Sequence, residues 1–164
     1  EELELAGIKV VRRDPSAPAA MPVTELSTLA PQRYAAVVVG APADFSYRQL
    51  CEATAAICDG ADYILTNADS CDALPGGRLM PGAGALAAYI TAVTGRPPDA
   101  VCGKPSELMC DLVRAAGVEP RTSVCIGDRL DTDAALGAAL GCGATVLALT
   151  GVTSHAEAMR APGV

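Results

Sequence analysis

The chain has 164 residues, of which 51% are hydrophobic and 19% charged, and its formal net charge is −7. This composition is typical of a globular protein of one domain or two small ones, with an aliphatic core because aromatic residues are only 3%. The acidic balance argues against a nucleic-acid or anionic-membrane surface, and no apolar run reaches the roughly 18 residues of a membrane helix. Seven cysteines without a CxxC pair argue against a disulfide framework and favour a reducing, cytoplasmic compartment.

Strands and a helix alternate along the first half of the chain. Residues 34–39 and 62–66 are short apolar runs of the kind that form buried strands. Between them, Ser46 and Gln49 have the spacing of a capping box, which predicts the start of a helix. Residues 71–78 contain Pro-Gly-Gly and are the clearest break in the chain, so we expect a linker there.

The second half alternates in the same way, and the whole pattern predicts a layered α/β protein with a parallel sheet. Helices are predicted over about 81–94, 107–116 and 134–140, and strands over 100–102, 123–126 and 145–149. We expect the strands that end at Cys102, Gly127 and Thr150 to share one sheet.

Three carboxylates follow the apolar strand at 123–126. Asp128 comes directly after Gly127, and Asp131 and Asp133 fall at the start of the next helix. Acidic residues near a helix N-terminus are favoured by the helix dipole, so capping alone is an alternative for the last two, but it does not explain Asp128. In open α/β sheets ligands bind at the carboxyl ends of strands, and Mg²⁺ takes one or two carboxylates together with water and phosphate. The pattern therefore predicts a Mg²⁺ site.

Lys104 follows a short strand within Gly-Lys-Pro-Ser. The segment is not a phosphate-binding P-loop, because Pro105 stands where that motif needs Ser or Thr. A single lysine after a strand is commonly just a solvated side chain. Because Lys104 and Asp128 both follow strands, they can face one crevice, where a cation beside a metal-binding carboxylate forms a phosphate site.

Asn67 and Asp69 follow the strand at 62–66. Both residue types are common in the turns that end strands. The functional alternative is a polar contact to a substrate held between two lobes, and the residues alone leave both interpretations open.

Gly-Lys-Pro-Ser at 103–106, followed by Gly-Asp-Arg-Leu-Asp-Thr-Asp at 127–133, resembles the haloacid dehalogenase superfamily of phosphatases. Further segments are similar to one branch of it, the para-nitrophenyl, phosphoglycolate and pyridoxal phosphate phosphatases. These segments lie at 44–47, 66–69, 81–86 and 149–153. The similarity runs over nearly the whole chain in the family's order.

The resemblance implies a two-part α/β architecture. Residues 1–78 would form a large α/β cap and its linker, and residues 79–164 would form part of a Rossmann-like core with a parallel sheet. A homodimer through the cap is compatible with the resemblance, because caps in this branch often dimerise. The resemblance implies that the ligand is a small phosphorylated metabolite, but it does not identify which one.

The resemblance also implies a chemistry, namely Mg²⁺-dependent hydrolysis of a phosphomonoester through a phospho-aspartate intermediate. Asp128 is then the Mg²⁺ ligand, and Asp133 supports the metal directly or through water. Lys104 pairs with the phosphate and the nucleophile. Asp131 assists, and Asn67 and Asp69 lie on the cap segment that approaches the substrate.

One part of the family pattern is not found in this sequence. The family's nucleophile and general acid/base lie in an Asp-x-Asp-Gly stretch, which does not occur here. We therefore expect a piece truncated at both ends that holds half of an active site, with an unfilled sheet position beside residues 123–126. The alternative is a non-catalytic phosphate- or nucleotide-binding or regulatory module that truly lacks the nucleophile.

Overall fold

The structure, a computed structural model, describes residues 2–11, 16–28, 34–41 and 45–161. The helices are α1 (Glu2–Leu5), α2 (Val23–Leu26), α3 (Tyr47–Cys58), α4 (Ala83–Thr94), α5 (Glu107–Ala115), α6 (Ala135–Leu140) and α7 (His155–Ala158). The strands are β1 (Ala36–Val39), β2 (Asp62–Leu65), β3 (Cys71–Leu74), β4 (Arg78–Pro81), β5 (Ala100–Val101), β6 (Val124–Gly127) and β7 (Ala144–Leu147). Within the described ranges, no helix has the length and apolar character needed to cross a membrane.

The described strands form three sheets. A first sheet has the order β1-β2-β5 and is parallel throughout, and a second sheet consists of the parallel pair β6 and β7. Strands β3 and β4 form an antiparallel hairpin. The predicted α/β class with parallel strands is therefore confirmed.

The predicted capping box begins α3. The Ser46 hydroxyl accepts a hydrogen bond from the backbone N–H of Gln49, and the Gln49 side chain accepts one from the backbone N–H of Ser46 at 2.8 Å. The two bonds satisfy N–H groups that a helix start otherwise leaves unpaired. Asp44, which belongs to one of the segments of family resemblance, lies outside the described residues.

The main apolar core joins α3, α4 and the first sheet. Ile57 of α3, Tyr63 of β2 and Ile90 of α4 are almost completely buried. The Tyr63 hydroxyl donates to the backbone oxygen of Ala87 at 3.1 Å, so its polar group is paired inside the core. Helix α4 therefore packs with α3, β1 and β2, although it follows the expected linker.

The predicted linker at 71–78 is wrong, because these residues form most of the β3–β4 hairpin. Gly76 and Gly77 close it with φ values of +80° and +73°, which glycine adopts without the steric cost that other residues meet. The two strands pair in register from Cys71 with Pro81 to Leu74 with Arg78, so the segment is not an unstructured connection.

The chain does not divide between residues 1–78 and 79–164 as predicted. After the hairpin, α4 and β5 return to the first sheet, where β5 pairs with β2. The carboxylate of Asp99 anchors this return, because it accepts a hydrogen bond from the backbone N–H of Tyr63 at 2.7 Å. The expectation that the strand ending at Cys102 shares a sheet with those ending at Gly127 and Thr150 is wrong for the same reason.

The second sheet has one covered and one open face. Helix α6 and a π-helical turn, Leu130–Ala134, contact β6 and β7. On the opposite face Val124, Ile126 and Val146 are half-exposed or more. Among the described residues β6 has a partner strand on one side only, which is β7.

Candidate active site

Lys104, Asp128 and Asp133 meet where strands of both parallel sheets end. Lys104 follows β5, Asp128 follows β6, and Asp133 lies in the π-helical turn after it. The Lys104 ammonium donates to Oδ1 of Asp133 over 2.5 Å, and all three residues line one cavity. The structure thus brings together three residues that stand up to 29 positions apart in the sequence.

Asp133 is a buried carboxylate whose two oxygens are both hydrogen-bonded. Oδ1 accepts from Lys104, and Oδ2 accepts from the backbone N–H groups of Asp128 at 3.1 Å and Arg129 at 3.2 Å. A side chain at Gly127 would overlap the Asp133 carboxylate, so this close approach requires glycine. Asp133 therefore holds both Lys104 and the loop that carries Asp128.

The pKa shifts describe an ion pair at neutral pH. Burial alone would raise the pKa of Asp133, but the hydrogen bonds from Lys104 and from the backbone of Arg129 and Asp128 outweigh it and lower that pKa. The hydrogen bond to Asp133 raises the pKa of the half-exposed Lys104 ammonium, against the opposing effect of its own desolvation. Both groups are therefore charged over the physiological range.

Asp128 keeps one carboxylate oxygen available. Oδ2 accepts a hydrogen bond from the backbone N–H of Val152 at 2.9 Å, while Oδ1 accepts none from the residues that the structure describes. A side chain at Gly151 would overlap Oδ2, so the close approach of this loop also requires glycine. The 150–153 loop thereby fixes the direction of the carboxylate.

The oxygen atoms near Asp128 suit Mg²⁺ better than a metal held by protein ligands alone. Within the described ranges, no three His, Cys, Asp or Glu side chains come together as a metal cage. Mg²⁺ does not need such a cage, because it commonly takes one or two carboxylates and completes its shell with water and phosphate oxygens. The free Oδ1 of Asp128 fits that pattern, whereas Asp133 has both oxygens occupied by nitrogen donors.

Arg129 is a site residue that the sequence analysis missed. Its side chain is only 10% exposed, and it bridges two parts of the fold. Nε and Nη2 donate to Asp131 at 3.1 and 2.8 Å, and Nη1 donates to the backbone oxygen of Cys71 on β3 at 3.0 Å. The available signal was its position as the one cation among the three acids of the 127–133 segment.

Two of the other predicted site residues, Asp131 and Asp69, lie beside Arg129, and Asn67 bonds to Asp69. Asp131 pairs with Arg129 and is mostly exposed, so it orients that guanidinium, and it forms no ion pair or hydrogen bond with Lys104, whose partner is Asp133. Oδ1 of Asp69 is buried and lies 3.4 Å from Nε of Arg129. Asn67 accepts a hydrogen bond from the backbone N–H of Asp69 at 3.1 Å, which is the turn interaction expected of a strand end.

The cavity has a volume of about 720 Å³ and is open to solvent. Lys104, Asp128 and Asp133 form one part of its wall, and the β3–β4 hairpin forms another. Asp69 lines it as well, whereas Asn67 does not. A space of this size accommodates a small phosphate ester with a hydrated ion.

Replacing Asp133 by asparagine is expected to lower the free energy of unfolding by about 2 kcal/mol at pH 7, because a buried charge partner of Lys104 is lost. The folded-state pKa of Asp133 is lowered, so its contribution is present above the unfolded-state pKa of about 3.9 and disappears as pH falls through the folded pKa. In urea unfolding, the difference in free energy of unfolding between D133N and the unchanged protein should therefore be smaller at pH 3 than at pH 7. D111N, in an exposed ion pair with Arg114, is the control, and an equal D133N effect at both pH values contradicts the prediction.

Replacing Arg129 by methionine is expected to loosen the β3–β4 hairpin. The variant keeps the apolar stem but removes the bond to the Cys71 oxygen and leaves Asp69 and Asp131 without their cation. Amide hydrogen exchange over residues 71–81 should become about tenfold faster, as the loss of 1 to 2 kcal/mol of local stability predicts. R114M, on the exposed side of α5, is the matched control; unchanged exchange in the Arg129 variant would show that the hairpin is held by other contacts.

Comparisons with known proteins identify the family of the chain. A family model described as "HAD-hyrolase-like" matches residues 101–163, which include Lys104, Asp128 and Asp133. The chain is 36% identical over 160 residues to a glycerol-3-phosphate phosphatase of Gallus gallus, which corresponds to 95% of this chain and 51% of that protein.

Two solved structures extend the similarity to the fold. A 4-nitrophenylphosphatase from Thermotoga maritima has a TM-score of 0.73 and 31% identity, and the match covers 97% of this chain and 53% of that one. A glycerol phosphate phosphatase from Mycobacterium tuberculosis, in complex with magnesium, has a TM-score of 0.67 and 35% identity over 80% of this chain and 39% of that one. The chain spans about half the length of the curated relatives that it matches over most of its own length. The fold and these similarities together show that the chain belongs to the haloacid dehalogenase-like family of hydrolases.

Proposed function

We propose that this chain supplies part of the active site of a Mg²⁺-dependent phosphatase, which hydrolyses a small phosphomonoester through a phospho-aspartate intermediate. The observation that carries the proposal is the charged Lys104–Asp133 pair beside the available Oδ1 of Asp128 in one open cavity. A fixed cation next to a carboxylate that can take a metal suits the charge distribution of a transferring phosphoryl group.

Lys104 would bind the phosphate. Its ammonium carries three donors, and Asp133 takes one of them. The raised pKa of Lys104 keeps it charged at neutral pH, so the remaining donors can contact phosphate oxygens. Asp133 would act by holding the ammonium in place, because its own oxygens are already bonded.

Asp128 would hold Mg²⁺ through Oδ1. Asp133 would hold the backbone of Asp128 in place by accepting a hydrogen bond from its N–H. Bound Mg²⁺ would neutralise charge on the phosphate and position it for attack. The mycobacterial relative, solved in complex with magnesium, supports this choice of ion. The Val152 N–H bond to Oδ2 would keep the free oxygen directed toward the ligand.

The acceptor carboxylate of such a reaction would come from the rest of the protein. This sequence contains no Asp-x-Asp-Gly stretch, and the site carboxylates Asp128 and Asp133 already have other roles in the proposal. Because the chain spans about half of its curated relatives, a segment outside these 164 residues is the proposed source. The cytoplasmic location and the homodimer through the cap stay predictions.

The alternative function is a phosphate- or nucleotide-binding module without catalysis. The same Lys104–Asp133 pair supports this function, since it could bind phosphate without catalysis. The sequence contains no Asp-x-Asp-Gly stretch that would favour hydrolysis instead. Hydrolysis of p-nitrophenyl phosphate by the whole protein separates the two, with activity expected in Mg²⁺ and its loss expected in EDTA. Binding of inorganic phosphate without any turnover would establish the module instead.

A further inference from the structure

The β3–β4 hairpin and the Lys104–Asp128 region form different parts of the same cavity wall. In the proposed function the phosphate is held at Lys104 and Asp128, so the leaving group extends along the remaining wall. Resting on that function, we infer that Arg129 is a positioning residue for the leaving group. It fixes the hairpin wall in place and does not itself bind the phosphate.

The hairpin has little packing of its own to fix its position. Its two strands have four residues each, and all residues from 72 to 81 are exposed. At its base the N–H of Gly82 donates to the Ser70 oxygen at 3.0 Å. Two-stranded hairpins without further packing are marginally stable in water. The position of this wall therefore depends on a contact with another part of the fold.

Arg129 supplies that contact. Nη1 donates to the backbone oxygen of Cys71 at 3.0 Å, and among the described residues Arg129 is the one residue of 103–161 that hydrogen-bonds to residues 71–81. Both oxygens of Asp131 accept from the same guanidinium and orient it. Because the Arg129 side chain is only 10% exposed, water competes poorly for the Cys71 oxygen.

The backbone of Arg129 is fixed at the phosphate end of the cavity. Its N–H donates to Oδ2 of Asp133 at 3.2 Å, and Oδ1 of that carboxylate accepts from Lys104. One residue thus connects the group that would bind phosphate with the wall that would face the leaving group. A substitution of its side chain leaves this backbone bond and the side chains of Lys104 and Asp128 in place.

The phosphate end should therefore keep its affinity when the Arg129 side chain is changed, while the hairpin wall loses its position. A ligand that needs the wall then binds only those molecules in which the wall is in place, and its apparent affinity falls by that fraction. A ligand that consists of phosphate alone does not depend on the wall. The inference predicts a split between these two kinds of ligand.

The test is isothermal titration of the whole protein with Mg²⁺ and two ligands. Inorganic phosphate has no leaving group, and phenylphosphonate carries a phenyl group on a carbon–phosphorus bond that is not hydrolysed. In R129M we expect the Kd of phenylphosphonate to rise about tenfold and that of phosphate to stay within about twofold. R114M, an exposed arginine of α5, should change neither value. An equal rise for both ligands, or no change for either, overturns the inference.

Two further measurements cover the case in which R129M does not fold, which circular dichroism would show. R129K keeps a positive charge beside Asp131, but one ammonium does not reproduce the planar fork that serves Asp131 and Cys71 together. It should give the same split at about threefold. In the unchanged protein, phenylphosphonate should slow amide exchange over residues 71–81 and phosphate should not. An equal effect of the two ligands on these amides contradicts the inference.

Turnover separates this inference from the proposed function. With p-nitrophenyl phosphate, R129M should raise KM about tenfold and leave kcat within about twofold, as loss of uniform binding does. The binding split in a protein that does not hydrolyse this ester would refute the phosphatase and support the role of Arg129. Hydrolysis together with an equal loss of affinity for both ligands would refute the role of Arg129 and leave the phosphatase standing.

Discussion

Replacing Asp128 by asparagine in the whole protein is expected to lower kcat/KM for p-nitrophenyl phosphate by about a thousandfold, as losses of a single metal-binding or charge-stabilising group typically do. Asparagine can still accept the Val152 N–H bond, so the 150–153 loop should stay in place. It cannot offer Mg²⁺ a charged oxygen. The measurement is steady-state hydrolysis over a range of Mg²⁺ concentrations, with thermal unfolding followed by circular dichroism.

The control for Asp128 is D111N, which makes the same charge change on the exposed side of α5. It should leave both the activity and its dependence on Mg²⁺ within about twofold, as exposed substitutions usually do. If D128N keeps activity within about threefold of the parent and the same Mg²⁺ dependence, Asp128 is not the metal ligand. The acidic segment would then serve only to begin the helix that follows it.

The 164-residue chain by itself is expected not to hydrolyse phosphomonoesters. Lys104 can bind phosphate and Asp128 can hold a metal, but neither is proposed as the acceptor of the phosphoryl group. Groups that act as a unit in catalysis lose most of the rate when one is absent, typically several orders of magnitude. The assay is p-nitrophenyl phosphate with Mg²⁺, run on this chain and on a protein that also contains an Asp-x-Asp-Gly strand upstream.

Weak binding of phosphate by the short chain is compatible with this expectation, because the Lys104–Asp133 pair lies within it. K104M in the same chain is the binding control, and it should abolish that affinity. Circular dichroism checks that the variant is folded, because it leaves the buried Asp133 carboxylate without its cation. Turnover by the short chain at a rate close to that of the longer one would show that the acceptor lies among these 164 residues. The division of the active site proposed above would then be wrong.

Local sequence chemistry by itself determined most of the individual elements. The capping box at Ser46 and Gln49 predicted α3, because both of its hydrogen bonds form between residues three positions apart. Short apolar runs predicted β1, β2 and β6, because such runs favour strands locally, although Val124 and Ile126 of β6 are exposed rather than buried. The position of Lys104 and Asp128 after strands was also sufficient to expect them at one site.

The tertiary structure decided how those elements are grouped. The Pro-Gly-Gly segment looks like a linker in the sequence, yet it closes a hairpin whose pairing partner, β4, was not recognised. Strand β5 has two residues and could add to either sheet by its sequence; only the bond between Asp99 and Tyr63 and the register with β2 place it in the first one. The placement of β5 depends on residues 36 positions apart, Tyr63 and Asp99, which no local pattern reports.

The roles of the charged residues were likewise decided in three dimensions. The sequence sets Asp128, directly after the strand, apart from Asp131 and Asp133 at the helix start, but it gives no sign of their different partners. In the structure Asp133 is bonded to Lys104 and Asp131 to Arg129, while Asp128 is the one of the three with a carboxylate oxygen that accepts no hydrogen bond from the described residues. The physical reason is that a carboxylate's role depends on which donors surround it. Here two of those donors, Lys104 after β5 and the Val152 N–H, come from distant parts of the chain.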